Sequence, residues 1–457
     1  MPVACAQCGS ESTLDAVYAV ETSALGRKRR YCPRCWREMH VRRAREALVV
    51  FTPLAVGAFV LLALGGPVVG TGVAWFFLNL CLVAFFLELA TLPHELGHAL
   101  TAYALGFRVF SITTGVGPRI LQRTVRGVQF SLHAYPFGGF TVTLPHDRRL
   151  FRVKSLLVVA AGPAVNGLFV AGALVLGGTI DFGAMIDGPC VAAALLMANA
   201  LLLVMNLLPM KAASAAGVTR NDGLVLLLVP FVKAAQVTEA LAARYALEAE
   251  TCRERNELLE ARSWAERGLE EFPNTPLLQS NLGFTLVLLG DCEGARLQFQ
   301  AAAEGHRAVP ALRALALNNI AWVDAVTAPN ERLDEADRMS QEALQALGFL
   351  PSLKGTRGTV LVALGRREEG IELLRAALRE EQDEELHPMA RASYAGALAL
   401  ALAEQGRVAE AAALLPAARG YHGRSPLLPR VEAALDAASR QAGENAPPGL
   451  GHFSGGD

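Results

Sequence analysis

The chain has 457 residues, enough for several domains, and is 52% hydrophobic but only 19% charged, against about 25% charged in an average soluble protein. Its net charge of −1 gives the whole chain no attraction for nucleic acid, which is not expected as a partner. The apolar excess is concentrated between Ala47 and Val232, with soluble-looking sequence on either side, so a uniformly soluble fold is excluded.

Residues 1–45 open without the apolar run of a cleavable signal peptide. They carry Cys5-x-x-Cys8 and Cys32-x-x-Cys35, two thiolate knuckles with 23 residues between Cys8 and Cys32. That spacing predicts a four-cysteine structural zinc site of the ribbon kind. A segment with so little apolar content needs the metal to fold, and thiols kept reduced for it place the N-terminus in the cytosol. The same segment holds nine Lys or Arg, which read as a topology signal and not as a DNA-binding patch. Cys81, Cys190, Cys252 and Cys292 are isolated and read as packing residues, and His40, His133 and His146 as surface or loop groups.

A bilayer takes roughly 20 apolar residues to cross. Four stretches qualify: Ala47–Gly66, Pro67 to about Leu92 (continuing as a helix through 104), Ser155–Ile180 and Gly188–Pro209. Only the second holds a charged residue, Glu88. The ten-residue run Gly223–Val232 is too short and is expected to be re-entrant, interfacial or buried. Eight Lys or Arg lie between Leu105 and Lys154, and none in the connections around Gly65–Gly72 and Gly178–Gly188. By the positive-inside rule the N-terminus, the 105–153 loop and the C-terminal region all face the cytoplasm, which four spans satisfy. Within that loop Phe107–Thr113, Gly127–Ala134 and Gly139–Leu144 are rich in β-branched and aromatic residues, punctuated by Gly115, Gly117, Pro118 and Pro136, and predict a small sheet or hairpin.

From about 240 to 440 the sequence turns Ala/Leu-rich and helical. Gly283, Gly290, Ala295, Phe299 and Ala302 share one spacing with Gly358, Gly365, Gly370, Leu374 and Ala377, and with Ala399, Gly406, Ala411, Leu415 and Ala418. Ala321, Ala336 and Ala343 fit as a fourth set with three residues inserted at Thr327–Arg332, and Ala261 and Pro273 belong to a partial unit. Small residues at these offsets let paired helices pack closely, a pattern that resembles the tetratricopeptide (TPR) repeat. Residues 441–457 read as a disordered tail.

The second span runs into His94-Glu95-Leu96-Gly97-His98. Histidines four apart lie one helical turn apart on one face, so both rings can reach one metal, with Glu95 beside them to take a proton from water. Three ionisable groups in five residues at the end of a membrane helix point to function. A catalytic zinc needs a third protein ligand. Asp222, in Asn221-Asp222-Gly223 shortly after the fourth span, is the candidate, with helix N-capping as its alternative role. Glu88, two turns before Glu95, either lines a water path or satisfies a neighbour in the bundle.

Together His94-Glu95-Leu96-Gly97-His98, Gly138-Gly139 after Pro136, Ala161-Gly162-Pro163-Ala164-Val165-Asn166, and Asn206 with Asp222-Gly223 resemble the site-2 protease family of membrane-embedded zinc metalloproteases over about residues 46–235. The resemblance implies zinc on His94, His98 and Asp222, and Glu95 as the group that activates water. It also implies that Asn166, carried near the metal by a Gly-Pro break in the third span, positions substrate or stabilises an oxyanion; a helix-bridging amide is the alternative. The fold class expected is mainly α: a multi-pass transmembrane helical metalloprotease core with a small β-rich cytosolic loop, a four-cysteine zinc ribbon and a TPR-like α-solenoid. Family members often have a tighter Asn-Pro-x-Pro…Leu-Asp-Gly run, whereas here Asn206 and Asp222 are sixteen residues apart and Asn221 stands in the Leu position. The implied activity is regulated intramembrane proteolysis of a membrane-protein substrate, within the lipid bilayer of the cell (inner) membrane, with a cytosolic protein partner on the TPR-like region. The competing reading is a non-catalytic membrane-anchored adaptor that uses those repeats as a scaffold.

Overall fold

The computed structural model describes residues 3–9, 11–12, 19–22, 28–39, 41–43, 45–46, 71–177, 184–214, 217–327, 330–379 and 387–444. The expected first span, Ala47–Gly66, lies outside the described residues. Two short antiparallel pairs open the chain, β1 (Val3–Ala4) with β2 (Glu11–Ser12) and β3 (Ala19–Thr22) with β4 (Lys28–Tyr31), followed by helix α1 over 33–39.

The chain divides into two compact units, one of Cys5–Cys8 and Tyr18–Arg244, the other of Met1–Ala4, Gly9–Val17 and Tyr245–Asp457. The apolar unit is built on α2 (Thr71–Ala104), α3 (Phe151–Gly177) and α5 (Val191–Leu207), with a short α4 (Ala184–Asp187) between the last two. Among the described residues, two helices are long and apolar enough to cross a membrane, Ala74–Ala104 within α2 and Phe151–Val175 within α3. Helix α5 has 17 residues. At 1.5 Å per residue it extends about 25 Å, somewhat short of a ~30 Å hydrocarbon core. Large apolar side chains point outward from these helices: Phe85 is 59% exposed, Leu100 66% and Leu168 72%. Such a surface is tolerable against lipid and costly against water. The helices approach closely where a Cβ on Gly97 would stand 2.8 Å from Val165 Cγ2 and 2.9 Å from the Ala161 carbonyl oxygen. Buried Asn79 fastens the connection between α3 and α5 to α2. It donates to the Met185 and Gly188 carbonyls at 2.7 and 2.8 Å and accepts from the Cys190 amide at 2.8 Å.

The expected Gly-Pro break in the third span does not form. Helix α3 runs through Gly162-Pro163 without interruption. Proline removes one backbone donor but leaves the helix whole when neighbours support it.

Between α2 and α3 lie β5 (Phe107–Val125) and β6 (Val128–Pro145). They fold back on themselves. Ser111–Thr114 pair with Gly139–Val142 in opposite order and also with Gln129–Leu132 in rising order, while Leu121–Val125 pair with Val128–Leu132. Four segments therefore lie side by side, and Gly139–Val142 is an outer one. Ala99 and Ala102 of α2, Phe107, Val109 and Ile112 of β5, and Val158 of α3 form the core that ties this sheet to the helices. After α5, β7 (Lys211–Ser214) and β8 (Gly217–Arg220) make a hairpin that leads to α6 (Asp222–Leu228). The short run expected at Gly223–Val232 is α6 with one 3-10 turn, Val229–Phe231, before α7 (Ala234–Glu254).

The second unit is a stack of helical hairpins: α8 (Leu258–Glu271), α9 (Pro276–Leu289), α10 (Cys292–Gly305), α11 (Pro310–Thr327), α12 (Leu333–Leu347), α13 (Pro351–Ala363), α14 (Arg367–Arg379), α15 (Pro388–Glu404), α16 (Val408–Ala418) and α17 (Leu428–Glu444). Each expected repeat falls on one pair, α9–α10, α11–α12, α13–α14 and α15–α16. A Cβ on Gly283 would lie 2.7 Å from the Phe299 ring, so the small residue is what admits the partner helix. Gly290, Gly365 and Gly406 take φ of 88°, 79° and 74° at the turns within three of these pairs. The arrangement is TPR-like. Residues expected in the tail contribute to α17 as far as Glu444, and those from 445 lie outside the described residues.

Candidate metal centre

His94 and His98 stand one turn apart on α2, and both rings face the first turn of α6. His94 Nε2 is 3.0 Å and His98 Nε2 3.5 Å from Asp222 Oδ2, and the two Nε2 atoms are 3.2 Å apart. On the far side of each ring an acceptor takes the Nδ1 proton. His94 Nδ1 donates to Asn166 Oδ1 at 2.6 Å and His98 Nδ1 to the Val158 carbonyl at 2.8 Å. In the neutral rings this leaves both Nε2 atoms as bare lone pairs. With both rings neutral, three acceptor atoms face one another, an arrangement that a cation among them would stabilise. Tetrahedral zinc, with bonds of about 2.0–2.1 Å, holds its ligand atoms roughly 3.3 Å apart. The three observed separations bracket that value, so the donor set fits zinc.

Asp222 is free for this role because a neighbour does the capping. The N-cap of α6 is Asn221, whose Oδ1 accepts from the Leu224 amide at 3.1 Å and the Met210 amide at 3.0 Å. Its Nδ2 donates to the Met205 carbonyl at 2.9 Å, tying the end of α5 to the start of α6. Asn221 thus anchors the segment that carries Asp222. On α3, a Cβ at Gly162 would meet His98 Nε2 at 2.3 Å and His94 Nε2 at 2.7 Å, so only glycine leaves the metal-facing nitrogens their space.

Glu95 is 6% exposed and lies beside the three, not among them. Thr141 Oγ1 of β6 donates to its Oε2 at 2.7 Å. Asn166, expected to position substrate or stabilise an oxyanion with a helix-bridging amide as the alternative, is fully buried with both ends of its amide taken. Oδ1 holds His94, and Nδ2 donates to Asn199 Oδ1 at 3.1 Å. It is a support behind the histidine. Glu88 stays out of the cluster, about 10 Å along α2 from Glu95, with no hydrogen bond or ion pair among the described residues. Sequence reasoning does not single out Thr141, Asn199 or the capping role of Asn221. Asn199 is the most findable of them, as an amide in an apolar helix that needs a partner.

The N-terminal cysteines also converge. Sγ atoms of Cys5, Cys8, Cys32 and Cys35 lie within 4.8 Å of one another, and Cys8 and Cys32 are 3.8 Å apart, unbonded. Four thiolates at the usual 2.3 Å or so around zinc stand roughly 3.8 Å apart. The Ala6 amide donates to the Arg30 carbonyl at 2.7 Å, holding the first knuckle against β4. Burial, with the neighbouring Cys5 charge adding, pushes the Cys32 thiol up to about 11, and burial raises Cys35 further.

A family model described as "Peptidase family M50" matches residues 80–186, which takes in His94, Glu95, His98 and Asn166 and ends before Asp222. Two bacterial proteins, each named "Putative zinc metalloprotease", are similar. The one from Chlamydia trachomatis is 31% identical over 121 residues, 21% of this chain and 20% of its own length. The one from Clostridium acetobutylicum is 32% identical over 104 residues, 21% of this chain and 31% of its own. A "Probable membrane metalloprotease" of Arabidopsis thaliana chloroplasts is 36% identical over 90 residues, 17% of this chain and 20% of its own. The chain spans less than a third of the length of the curated relatives it matches. Among solved structures, a thermophilic TPR protein of Thermus thermophilus is similar over 44% of this chain and 99% of its own, with 19% identity and a TM-score of 0.33. The histidine pair and the glutamate between them therefore lie within residues 80–186, the stretch that matches the model of peptidase family M50, the site-2 protease family.

Proposed function

We propose that the chain is an intramembrane zinc metalloendopeptidase that hydrolyses a peptide bond in a membrane-protein substrate. The observation that carries this is the close triangle of His94 Nε2, His98 Nε2 and Asp222 Oδ2, with an acceptor beside each Nδ1 atom and a glutamate alongside. Three protein ligands leave a fourth position open, the arrangement of a catalytic site. Zinc held there supplies Lewis acidity, polarising a carbonyl and making water easier to deprotonate. Glu95, held by Thr141, takes the proton. Asn166, braced by Asn199, keeps the His94 ring turned and its Nδ1 protonated. The outer segment Gly139–Val142 offers an unpaired strand edge beside Glu95, to which an unwound substrate adds as a further strand.

The surrounding parts fit that work. Apolar helices α2 and α3 hold the centre inside a bilayer, with both termini in the cytoplasm by charge bias. Cys5, Cys8, Cys32 and Cys35 bind a structural zinc. The TPR-like hairpins recruit or regulate through a cytosolic protein partner. The test compares native protein with Glu95→Gln. Loss of the base costs about 10²–10⁴-fold in turnover, so an uncut membrane substrate accumulates. Equal processing by both would favour the adaptor reading. Proline substitutions along Gly139–Val142 that leave cleavage unchanged would remove the strand-addition step alone.

A further inference from the structure

The base of this site is not held by its own helix. Glu95 projects from α2 toward β6, and what it meets there is a single strand segment. Thr141 Oγ1 lies 2.7 Å from Glu95 Oε2 and 3.2 Å from the Glu95 carbonyl oxygen, so one hydroxyl spans the side chain and main chain of the same residue. Two residues earlier the strand's backbone presses on the same carboxylate. A Cβ at Gly139 would stand 2.8 Å from Glu95 Cγ and 2.9 Å from Oε1. The carboxylate is thus gripped on one oxygen and crowded at the other. A glutamate with three free torsions samples many rotamers, and a proton acceptor works only within hydrogen-bond reach of its proton.

We infer that Thr141 is a positioning residue that fixes the Glu95 carboxylate, so that the segment offering an edge to substrate is the one that holds the base. This rests on the reading of Glu95 as the base. Gly139–Val142 pair with Ser111–Thr114 on one side only, and residues 139 and 141, alternate along the strand, both turn toward α2. A substrate strand added on the open side stiffens this segment. Substrate docking and the grip on Glu95 therefore share one strand segment, and a substrate strand added there reinforces a base already held.

Thr141→Val is the informative change, because valine keeps the shape and the strand preference of threonine and removes only the hydroxyl. The assay uses the full chain, zinc-loaded in detergent micelles, with a quenched-fluorescence peptide containing one apolar span. Thr141→Val lowers kcat about 10–100-fold, the scale of a misplaced catalytic group, with KM within about 2-fold. Zinc content is unchanged, and Thr141→Ser recovers most of the rate. A rise in KM at unchanged kcat, or no recovery with serine, overturns the inference. Thermal unfolding gives a readout that needs no turnover. Thr141→Val lowers Tm in the native background and has no further effect on Glu95→Ala, since the hydroxyl has then lost its partner. Equal shifts in both backgrounds mean that Thr141 only packs in the sheet. A native protein that cleaves no single-span peptide refutes the protease reading, and the melting cycle still decides whether Thr141 grips Glu95.

Discussion

The two candidate metal clusters are built on opposite plans. Cys5, Cys8, Cys32 and Cys35 offer four ligands in a segment whose described apolar core, beyond the cysteines, is Tyr31, Trp36 and Met39. His94, His98 and Asp222 offer three, from two helices already packed against a third, and every ligand ring has an acceptor behind it. On the proposed reading, a metal would organise the protein around the first cluster. Around the second, the helices already place the ligand atoms together. A closed set of four leaves no room for a substrate atom, whereas a set of three beside a carboxylate does.

Metal removal should separate the two plans most widely. Structural zinc sites in small domains contribute about 10–16 kcal/mol of apparent binding energy at pH 7, and that energy is folding energy. Chelation should therefore abolish amide-exchange protection around Cys5–Cys8 and Cys32–Cys35 while α2, α3 and α5 keep theirs. The ribbon should also lose its metal on acidification. Zinc binds thiolates, and the metal-free Cys32 thiol holds its proton up to about 11 through burial. Each zinc captured below that pH must displace protons, so apparent affinity climbs as pH rises and falls as pH drops. Retained protection at β3–β4 in chelator would mean that the ribbon folds without metal, and the contrast would fail.

How far each plan is visible in the sequence follows from the same difference. The ribbon is local, so two Cys-x-x-Cys pairs expose the whole ligand set. In the helical centre, spacing along α2 gives His94, Glu95 and His98, and the acid that returns after the fourth apolar stretch gives Asp222. The supports are harder to find. Thr141 reaches Glu95 only because β5 and β6 fold back into four segments, a register that no local pattern encodes. Asn221 takes the cap that Asp222 alone suggested, since either side chain can accept from a helix N-terminus. Gly162-Pro163 reads as a break, yet the helix is continuous and the glycine is there to admit two imidazoles. The hairpin stack is legible for the opposite reason, because each small residue in it meets its partner within one repeat, as Gly283 meets Phe299.

The next largest effect tests whether the helical centre is as rigid as this contrast requires. Gly162→Ala places a methyl group where Cβ would be 2.3 Å from His98 Nε2 and 2.7 Å from His94 Nε2. A pre-built site cannot yield easily, so zinc affinity there should fall by more than the 10–100-fold or so typical of changes to outer partners. Cleavage should fall with it, while helix content and ribbon zinc stay constant. Zinc bound with native affinity would show that α3 shifts to accommodate the methyl group, and that the centre is pliable.

The smallest effect probes how far the organisation extends behind the ligands. Asn199 touches neither the metal nor its ligands. Its Oδ1 accepts from Asn166 Nδ2 at 3.1 Å, and its own Nδ2 donates to the Leu195 carbonyl at 3.0 Å, which locks it to α5. With both amide groups of Asn199 committed, Asn166 has one orientation that satisfies its two ends, and that orientation puts Oδ1 on His94. In Asn199→Ala the Asn166 amide loses the partner that tells its nitrogen from its oxygen, and His94 loses a fixed acceptor. Zinc affinity should drop about 10-fold, the lower end for an outer partner. Asn166→Ala should cost more, and adding Asn199→Ala to it should cost nothing further, because the second residue acts only through the first. A full additive loss in the double variant would mean that α5 positions the centre by another route, and that the organised region is wider than this single chain of amides.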